Sequence, residues 1–268
     1  MTAALADSPR ATATPPDTMA LAVEGISINF GALMAVRAVD LNLPVGARHA
    51  LIGPNGAGKS TLVGLMTGVL QPTAGRVKLR GEDVTALGMP ARVKRGLART
   101  FQVTQLFPEM TGLEATALAV AERDGLTARW LRPLRSYRAQ SDEAGEILHT
   151  LGVLALAGRP IGELAYGQQR IMEISLALAA KPRVLLLDEP AAGIPAGEST
   201  RLFEVLDRLP SEIALLFIEH DMHLVRRFAR DVTVLAAGAV LASGTPPEVA
   251  ANPLVQDAYL GRRGGMHP

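Results

Sequence analysis

The octet Gly53-Pro54-Asn55-Gly56-Ala57-Gly58-Lys59-Ser60 follows an apolar run, His49 to Gly53, and precedes a helical pattern over Thr61 to Leu70. Few folds accommodate that order. The chain must leave a buried strand, curl its backbone N–H groups inward and begin a helix whose partial positive end faces the same concavity. A curl of this kind receives phosphate oxygens. Lys59 is spaced to reach the terminal phosphates and Ser60 to ligate magnesium, and Thr61 joins residues 53–60 in the phosphate-binding segment.

The rest of the chain supplies the frame that such a loop needs. Four short runs, His49 to Gly53, Arg183 to Asp188, Ile213 to Glu219 and Val232 to Ala237, are almost continuously aliphatic. A half-exposed strand would alternate, so these predict strands covered on both faces, in a largely parallel sheet. Between them lie helical patterns, clearest over Ser199 to Leu209, where Leu202, Val205, Leu206 and Leu209 repeat at helical spacing. Strand and helix alternate, and the class is α/β. Leu21 to Phe30, Val36 to Leu43 and Gly75 to Leu79 alternate more and predict a smaller antiparallel layer near the N-terminus. The block from about 103 to 165 is helical: Thr111 and Glu114 form a capping box for a helix ending near Asp124, and Ser141 predicts the start of another ending near Leu151.

Composition narrows the class of partner. With 27 basic and 26 acidic residues the formal charge is +1, which supplies no broad field for nucleic acid. Cysteine is absent, excluding disulfides, thiolate metal sites and cysteine nucleophiles. No window of about 18 uninterrupted apolar residues predicts a membrane span. Residues 1–18, rich in Ala, Thr and Pro, match neither a signal nor a transit peptide and are expected to be a disordered leader ahead of one domain, 19–268. Arg129 to Arg135, basic and apolar together around Trp130, reads as a solvated loop whose Trp packs locally, with contact to a membrane partner or lipid headgroups as the alternative.

A second chemical element ends the run Arg183 to Leu187: the carboxylates Asp188 and Glu189. An acid at the C-terminal end of a core strand can hold the water shell of a magnesium ion bound to phosphate, and its neighbour can polarise an attacking water. Asp188 takes the first role and Glu189 the second.

Further along, Leu164-Ala165-Tyr166-Gly167-Gln168-Gln169 opens an apolar helix, Thr100-Phe101-Gln102 stands before the helical block, and Glu219-His220-Asp221 follows the strand Ile213 to Ile218. Taken singly, His220 would read as a surface histidine. In this order the segments resemble the ATP-binding cassette ATPases, over about Leu21 to Gly261. The resemblance implies a P-loop NTPase core with an inserted helical subdomain, ATP and Mg2+ at the phosphate loop, and a site shared across a dimer. There the signature Leu164 to Gln168 of one subunit caps the nucleotide held by the other. It implies that Gln102 joins the catalytic core to the helical subdomain as a catalytic and metal-contacting residue, and that His220 is the switch histidine. Phe30 stands where the family stacks an aromatic on adenine; simple core packing is the other reading of that residue.

The phrases Phe30 to Val36 (FGALMAV), Arg99 to Gln102 (RTFQ), Leu164 to Arg170 (LAYGQQR), Asp188 to Gly193 (DEPAAG), Glu219 to Met222 (EHDM) and Ala258 to Gly261 (AYLG) are similar to ATP-binding subunits of branched-chain amino acid importers. Urea and amide importers and the lipopolysaccharide-export ATPase share part of this wording. The resemblance implies membrane permease subunits, a second ATPase subunit of the same or a sister chain, and indirectly a periplasmic or lipid-anchored substrate-binding protein, with the chain peripheral on the cytoplasmic membrane face. Two departures stand out: Ala165 replaces the signature serine, and Pro195 replaces the usual Asp or Asn of the loop facing the partner site. Three rival readings are a soluble cassette ATPase acting on DNA or ribosomes, a small-molecule kinase, and a subunit with a degenerate site.

Overall fold

A computed structural model of the protein describes residues 19–100, 107–126 and 138–260. The expected leader 1–18, Gln102 and the segment Arg129 to Arg135 lie outside the described residues.

The central sheet contains β3 (Arg48–Ile52), β6 (Leu97–Arg99), β7 (Val184–Asp188), β8 (Ala214–Ile218), β9 (Asp231–Ala236) and β10 (Ala239–Gly244), in the order β10-β9-β3-β8-β7-β6. Every pairing is parallel except β9 with β10. Each residue of β3, β7 and β8 is buried, which is why these strands carry no polar alternation. Their side chains feed two separate cores. Ala50, Ile52, Leu185, Leu187, Leu215 and Phe217 face one; Leu51, Val184, Leu186, Ala214, Leu216 and Ile218 face the other. Burying each Leu, Ile or Phe side chain is worth about 1.5–3 kcal/mol.

The second core is closed by a four-stranded antiparallel sheet, β2-β1-β4-β5, made of β1 (Met19–Phe30), β2 (Leu33–Pro44), β4 (Ala74–Leu79) and β5 (Glu82–Asp83). Helix α1 (Lys59–Thr67) packs Leu62, Val63, Leu65 and Met66 into it. The expected extension of this helix to Leu70 is cut short, because Gly68 takes a left-handed conformation and its N–H bonds back to Leu65 O at 3.3 Å. The guanidinium of Arg92, on the short helix α2 (Met89–Val93), donates to Leu65 O and Met66 O, both at 2.7 Å. A fully buried cation thereby satisfies the last carbonyls of α1 at its negative end.

The first core is covered by helices. Between β6 and β7 lie α3 (Gly112–Arg123), α4 (Arg138–Thr150) and α5 (Tyr166–Ala179). Thr111 and Glu114 form the expected capping box of α3. Helix α4, however, already includes Arg138, three residues before Ser141, so Ser141 is an interior position rather than a cap. Arg123 joins the three helices by pairing with Glu143 and donating to Ala179 O at 2.9 Å. Helix α6 (Ala196–Asp207) starts ahead of the expected Ser199, since the Pro195 carbonyl accepts the N–H groups of Glu198 and Ser199, both at 2.9 Å. Helices α7 (Met222–Phe228), α8 (Pro246–Ala251) and α9 (Pro253–Leu260) follow among the described residues.

Candidate functional site

In a parallel sheet, ligands meet the carboxyl ends of the strands. Ile218, the last residue of β8, is level with Leu51 of β3 on one side and Asp188 of β7 on the other. Three adjacent strands therefore end together, and each delivers a polar segment: residues 53–60 after β3, Glu219-His220 after β8, and Asp188-Glu189 from β7.

The first segment is shaped by its glycines. Gly53 has φ +151°, and a Cβ there would stand 2.2 Å from Leu235 O; at Gly58, with φ +99°, it would stand 2.6 Å from Ala35 O. Only glycine lets the loop pass between these two strands. Ala57 is buried, whereas Asn55, Gly56 and Ser60 are exposed and Pro54, Lys59 and Thr61 lie partly so. Lys59 Nζ donates to Gly53 O at 2.7 Å and Pro54 O at 3.1 Å, holding the ammonium over the loop. Helix α1 begins at Lys59 with no side-chain cap and no acid in its first turn, so its positive end faces the loop unneutralised.

Asp188 is almost fully buried. Its Oδ2 accepts from Arg99 Nη2 at 2.7 Å, and its Oδ1 is buried without a hydrogen-bond partner among the described residues. A carboxylate oxygen left in that condition suits a cation's hydration shell. No group of three His, Asp or Glu side chains able to hold a metal occurs among the described residues; a divalent ion at Asp188 and Ser60 would take much of its coordination from phosphate and water. Glu189 follows with φ +48°, a left-handed conformation costing about 1–3 kcal/mol in a non-glycine residue. Its N–H bonds to Ile218 O at 3.1 Å, and its side chain is partly exposed.

Two residues that stand in the sequence only inside motif phrases, with no role read for them there, complete this end of the sheet. Arg99, at the tip of β6, is the partner of Asp188. Glu219 is 1% exposed, with Oε1 accepting Ala191 N–H at 3.0 Å and Oε2 accepting His220 N–H at 3.3 Å. Burial raises its carboxyl above the ordinary range, and the two N–H groups oppose that shift. A signal for it existed, since a third core strand, like β7, runs straight into a carboxylate. His220 itself is largely exposed, with Nδ1 4.0 Å from Glu219 Oε2.

Phe30 ends β1 opposite Leu33, and with Met34 the three form an exposed apolar hairpin tip; Phe30 is 50% exposed, so core packing does not account for it. The segment Leu164 to Gln168 stands elsewhere. Leu164 is buried, and Ala165 occupies the N-cap of α5 with no side-chain acceptor, its own N–H bonding to Gln168 Oε1 at 3.1 Å. Ala165, Gly167 and Gln168 line a cavity of about 360 Å³ with Glu198 and Arg201 of α6, apart from Lys59 and Asp188. Tyr166 reaches the loop after Glu189: a Cβ on Gly193 would lie 3.3 Å from its ring. His49 is buried in β3 and bonds Thr233 Oγ1 at 2.8 Å, a structural position away from the strand ends. At the C-terminus, Tyr259 of α9 packs against the first core and meets the backbone of Gly53.

Residues 36–192 match the family described as ABC transporter, and residues 239–264 match the family described as branched-chain amino acid ATP-binding cassette transporter. The high-affinity branched-chain amino acid transport ATP-binding protein BraF of Pseudomonas aeruginosa is 40% identical over 250 residues, covering 90% of this chain and 97% of its own. LivG of Escherichia coli, with the same description, is 40% identical over 248 residues with the same coverage. Among solved structures, a nucleotide-free ATP-binding cassette from an ABC transporter superposes with TM-score 0.80 at 30% identity, covering 90% of this chain and 98% of that one. The ADP conformation of MJ1267, an ATP-binding cassette of an ABC transporter, gives 0.79 at 32% identity, covering 91% and 99%.

Proposed function

The chain belongs to the ABC transporter family of ATP-binding proteins and is an ATPase, and on that premise we propose that it powers uptake of branched-chain or other hydrophobic amino acids through a membrane permease. The observation carrying this reading is the end-to-end similarity to BraF and LivG, together with the match of residues 239–264 to the branched-chain family, beyond the part common to all cassettes.

In this reading Lys59 exchanges the carbonyls of Gly53 and Pro54 for the terminal phosphates of ATP, and the loop amides with the start of α1 hold the rest. Phe30 offers its exposed ring to adenine. Mg2+, held by Ser60, Asp188 and Gln102, would neutralise developing phosphate charge, and the unpartnered Asp188 Oδ1 is what favours its placement there. Glu189 takes a proton from the attacking water and His220 steadies the displaced phosphate. The separation of Gly167 from Lys59 within one chain agrees with a nucleotide completed by a second subunit, whose Leu164 to Gln168 segment would cap it. Binding then favours the closed pair, because ATP contacts both subunits and ADP lacks the terminal contacts. Ala165 leaves that cap to Gly167 and backbone donors.

The unit proposed is one nucleotide-binding domain, 19–268, with a helical insert at about 103–165, docked on permease subunits at the cytoplasmic face of the membrane and served indirectly by a substrate-binding protein. No described helix is long and apolar enough to cross a bilayer itself. The test is purification of the tagged Glu189→Gln protein from detergent-solubilised native membranes with mass spectrometry, then leucine, isoleucine and valine uptake in cells lacking this chain. Co-purification of polytopic proteins with a second ATPase, and loss of uptake restored by the wild-type gene, are expected. Unchanged uptake of all three, or loss of urea or amide uptake instead, overturns the cargo; recovery of ribosomes or DNA-repair proteins overturns the transport role.

A further inference from the structure

Glu219 is one of the least exposed charged side chains in the protein, and it lies outside the roles assigned to Glu189 and His220. A carboxylate taken out of water is costly unless its oxygens are satisfied. Both are, and the two donors come from different segments: Ala191, in the loop after Glu189, and His220, at the end of the neighbouring strand. The Ala191 contact spans 28 residues of sequence. The backbone reinforces the same junction, since Glu189 N–H bonds to Ile218 O and Ala192 N–H bonds to Glu189 O at 3.0 Å. Beyond Ala191 the loop turns back through Ile194 N–H to Ala191 O at 3.1 Å, and Gly193 lies against the Tyr166 ring at the start of α5.

We propose that Glu219 is a positioning residue that clamps the His220 backbone to the Ala191–Ile194 loop, so that the histidine, the left-handed turn at Glu189 and the start of α5 keep one arrangement. This rests on the proposed roles of Glu189 and His220. Glu219 need not touch the substrate. A single buried group with both oxygens committed to backbone donors links the loop after Glu189 to the end of β8, so that displacement of one is felt by the other. Nucleotide affinity, set at Lys59 and the 53–60 loop, is expected to be independent of it, whereas the hydrolytic step is not.

The experiment is a double-mutant cycle on the purified full-length chain, measuring kcat, KM for ATP and the affinity of a fluorescent ATP analogue for wild type, Glu219→Ala, His220→Ala and the double variant. Removing Glu219 is expected to lower kcat about 10–100-fold, the scale for losing a residue that orients a functional group, with KM and analogue affinity within about twofold by the same separation of binding from turnover. Glu219→Gln, which keeps one carbonyl acceptor, is expected to fall between wild type and Glu219→Ala. The double variant should lose less than the product of the two single losses. A His220→Ala loss to which the Glu219 loss simply multiplies overturns the clamp and leaves His220 in its role; so does wild-type kcat in Glu219→Ala, or a parallel loss of nucleotide affinity. Full activity in His220→Ala instead overturns the histidine's role, and the clamp with it. Thermal melting identifies any variant that fails to fold, in which case Glu219→Gln carries the cycle.

Discussion

His49 ties stability to pH through a single buried group. It sits in β3, only 5% exposed, with Nε2 against Thr233 Oγ1, which in turn lies 3.1 Å from Ser243 Oγ. Burial lowers its pKa from 6.5 to about 4, partly opposed by the charge of Asp231. The fold thus binds the neutral ring, while the unfolded chain takes up a proton near pH 6.5. Stability is complete above that value and declines as the pH falls toward 4, where the folded state also protonates. At about 1.4 kcal/mol per pH unit the whole effect is capped at ~3 kcal/mol, and between pH 7.5 and 5 the loss is about 2 kcal/mol. Urea unfolding followed by circular dichroism at pH 7.5, 6.5 and 5 measures it, with His49→Gln as the control that keeps a hydrogen-bonding side chain and removes the titration. Subtracting the variant's pH dependence removes other carboxylates, including Glu219, whose raised pKa acts in the opposite direction. A wild-type decline no steeper than the variant's, or one concentrated above pH 6.5, would refute the assignment.

Four further outcomes follow from the geometry. Lys59→Ala removes the cation that now bonds Gly53 O and Pro54 O, and calorimetry should record ATP affinity at least about tenfold weaker, on the scale of a charged hydrogen bond; unchanged affinity would remove Lys59 from the phosphate site. Glu189→Gln should bind ATP normally yet turn over about 10²–10⁴-fold more slowly in a phosphate-release assay, and wild-type turnover would end its role as base. Phe30→Ala should weaken ATP binding by about 1–3 kcal/mol through lost stacking, with the melting temperature almost unmoved because the ring is half exposed. Arg92→Met strands the carbonyls of Leu65, Met66, Leu87 and Thr85, and chemical denaturation should show a loss of about 2–3 kcal/mol, the scale for buried acceptors left unsatisfied; a loss under about 1 kcal/mol would mean those carbonyls find other donors.

What was legible in the sequence was what depends on neighbours along the chain. The aliphatic runs of β3, β7 and β8 announce burial by composition alone, and the octet 53–60 carries its own turn geometry. Thr111 and Glu114 name their cap because both partners lie within four residues. Contacts made through space were not legible. Arg99 reaches Asp188 across 89 residues, and Glu219 reaches Ala191 across 28. Helix limits failed where the boundary was conformational: Gly68 ends α1 against a continuing apolar pattern, and Pro195 starts α6 ahead of Ser199, where the apolar pattern begins. The strands β6 and β10 escaped notice because one has three residues and the other is only partly buried. Phe30 is open between two readings in the sequence, and its half exposure argues against core packing.

The phosphate loop is an early part of the chain that leans on a late one. Strand β3 lies between β8 and β9, and Gly53 rests on the carbonyl of Leu235, while the N–H of Gly238 bonds to Ala57 O at 3.0 Å. A chain made from its N-terminus exposes residues 53–60 long before these supports exist, and pairings so distant in sequence form slowly. Nucleotide can therefore reward folding only after nearly the whole chain has been synthesised. Until then β3 is an apolar strand with both edges open, the kind of surface that invites aggregation and chaperone capture.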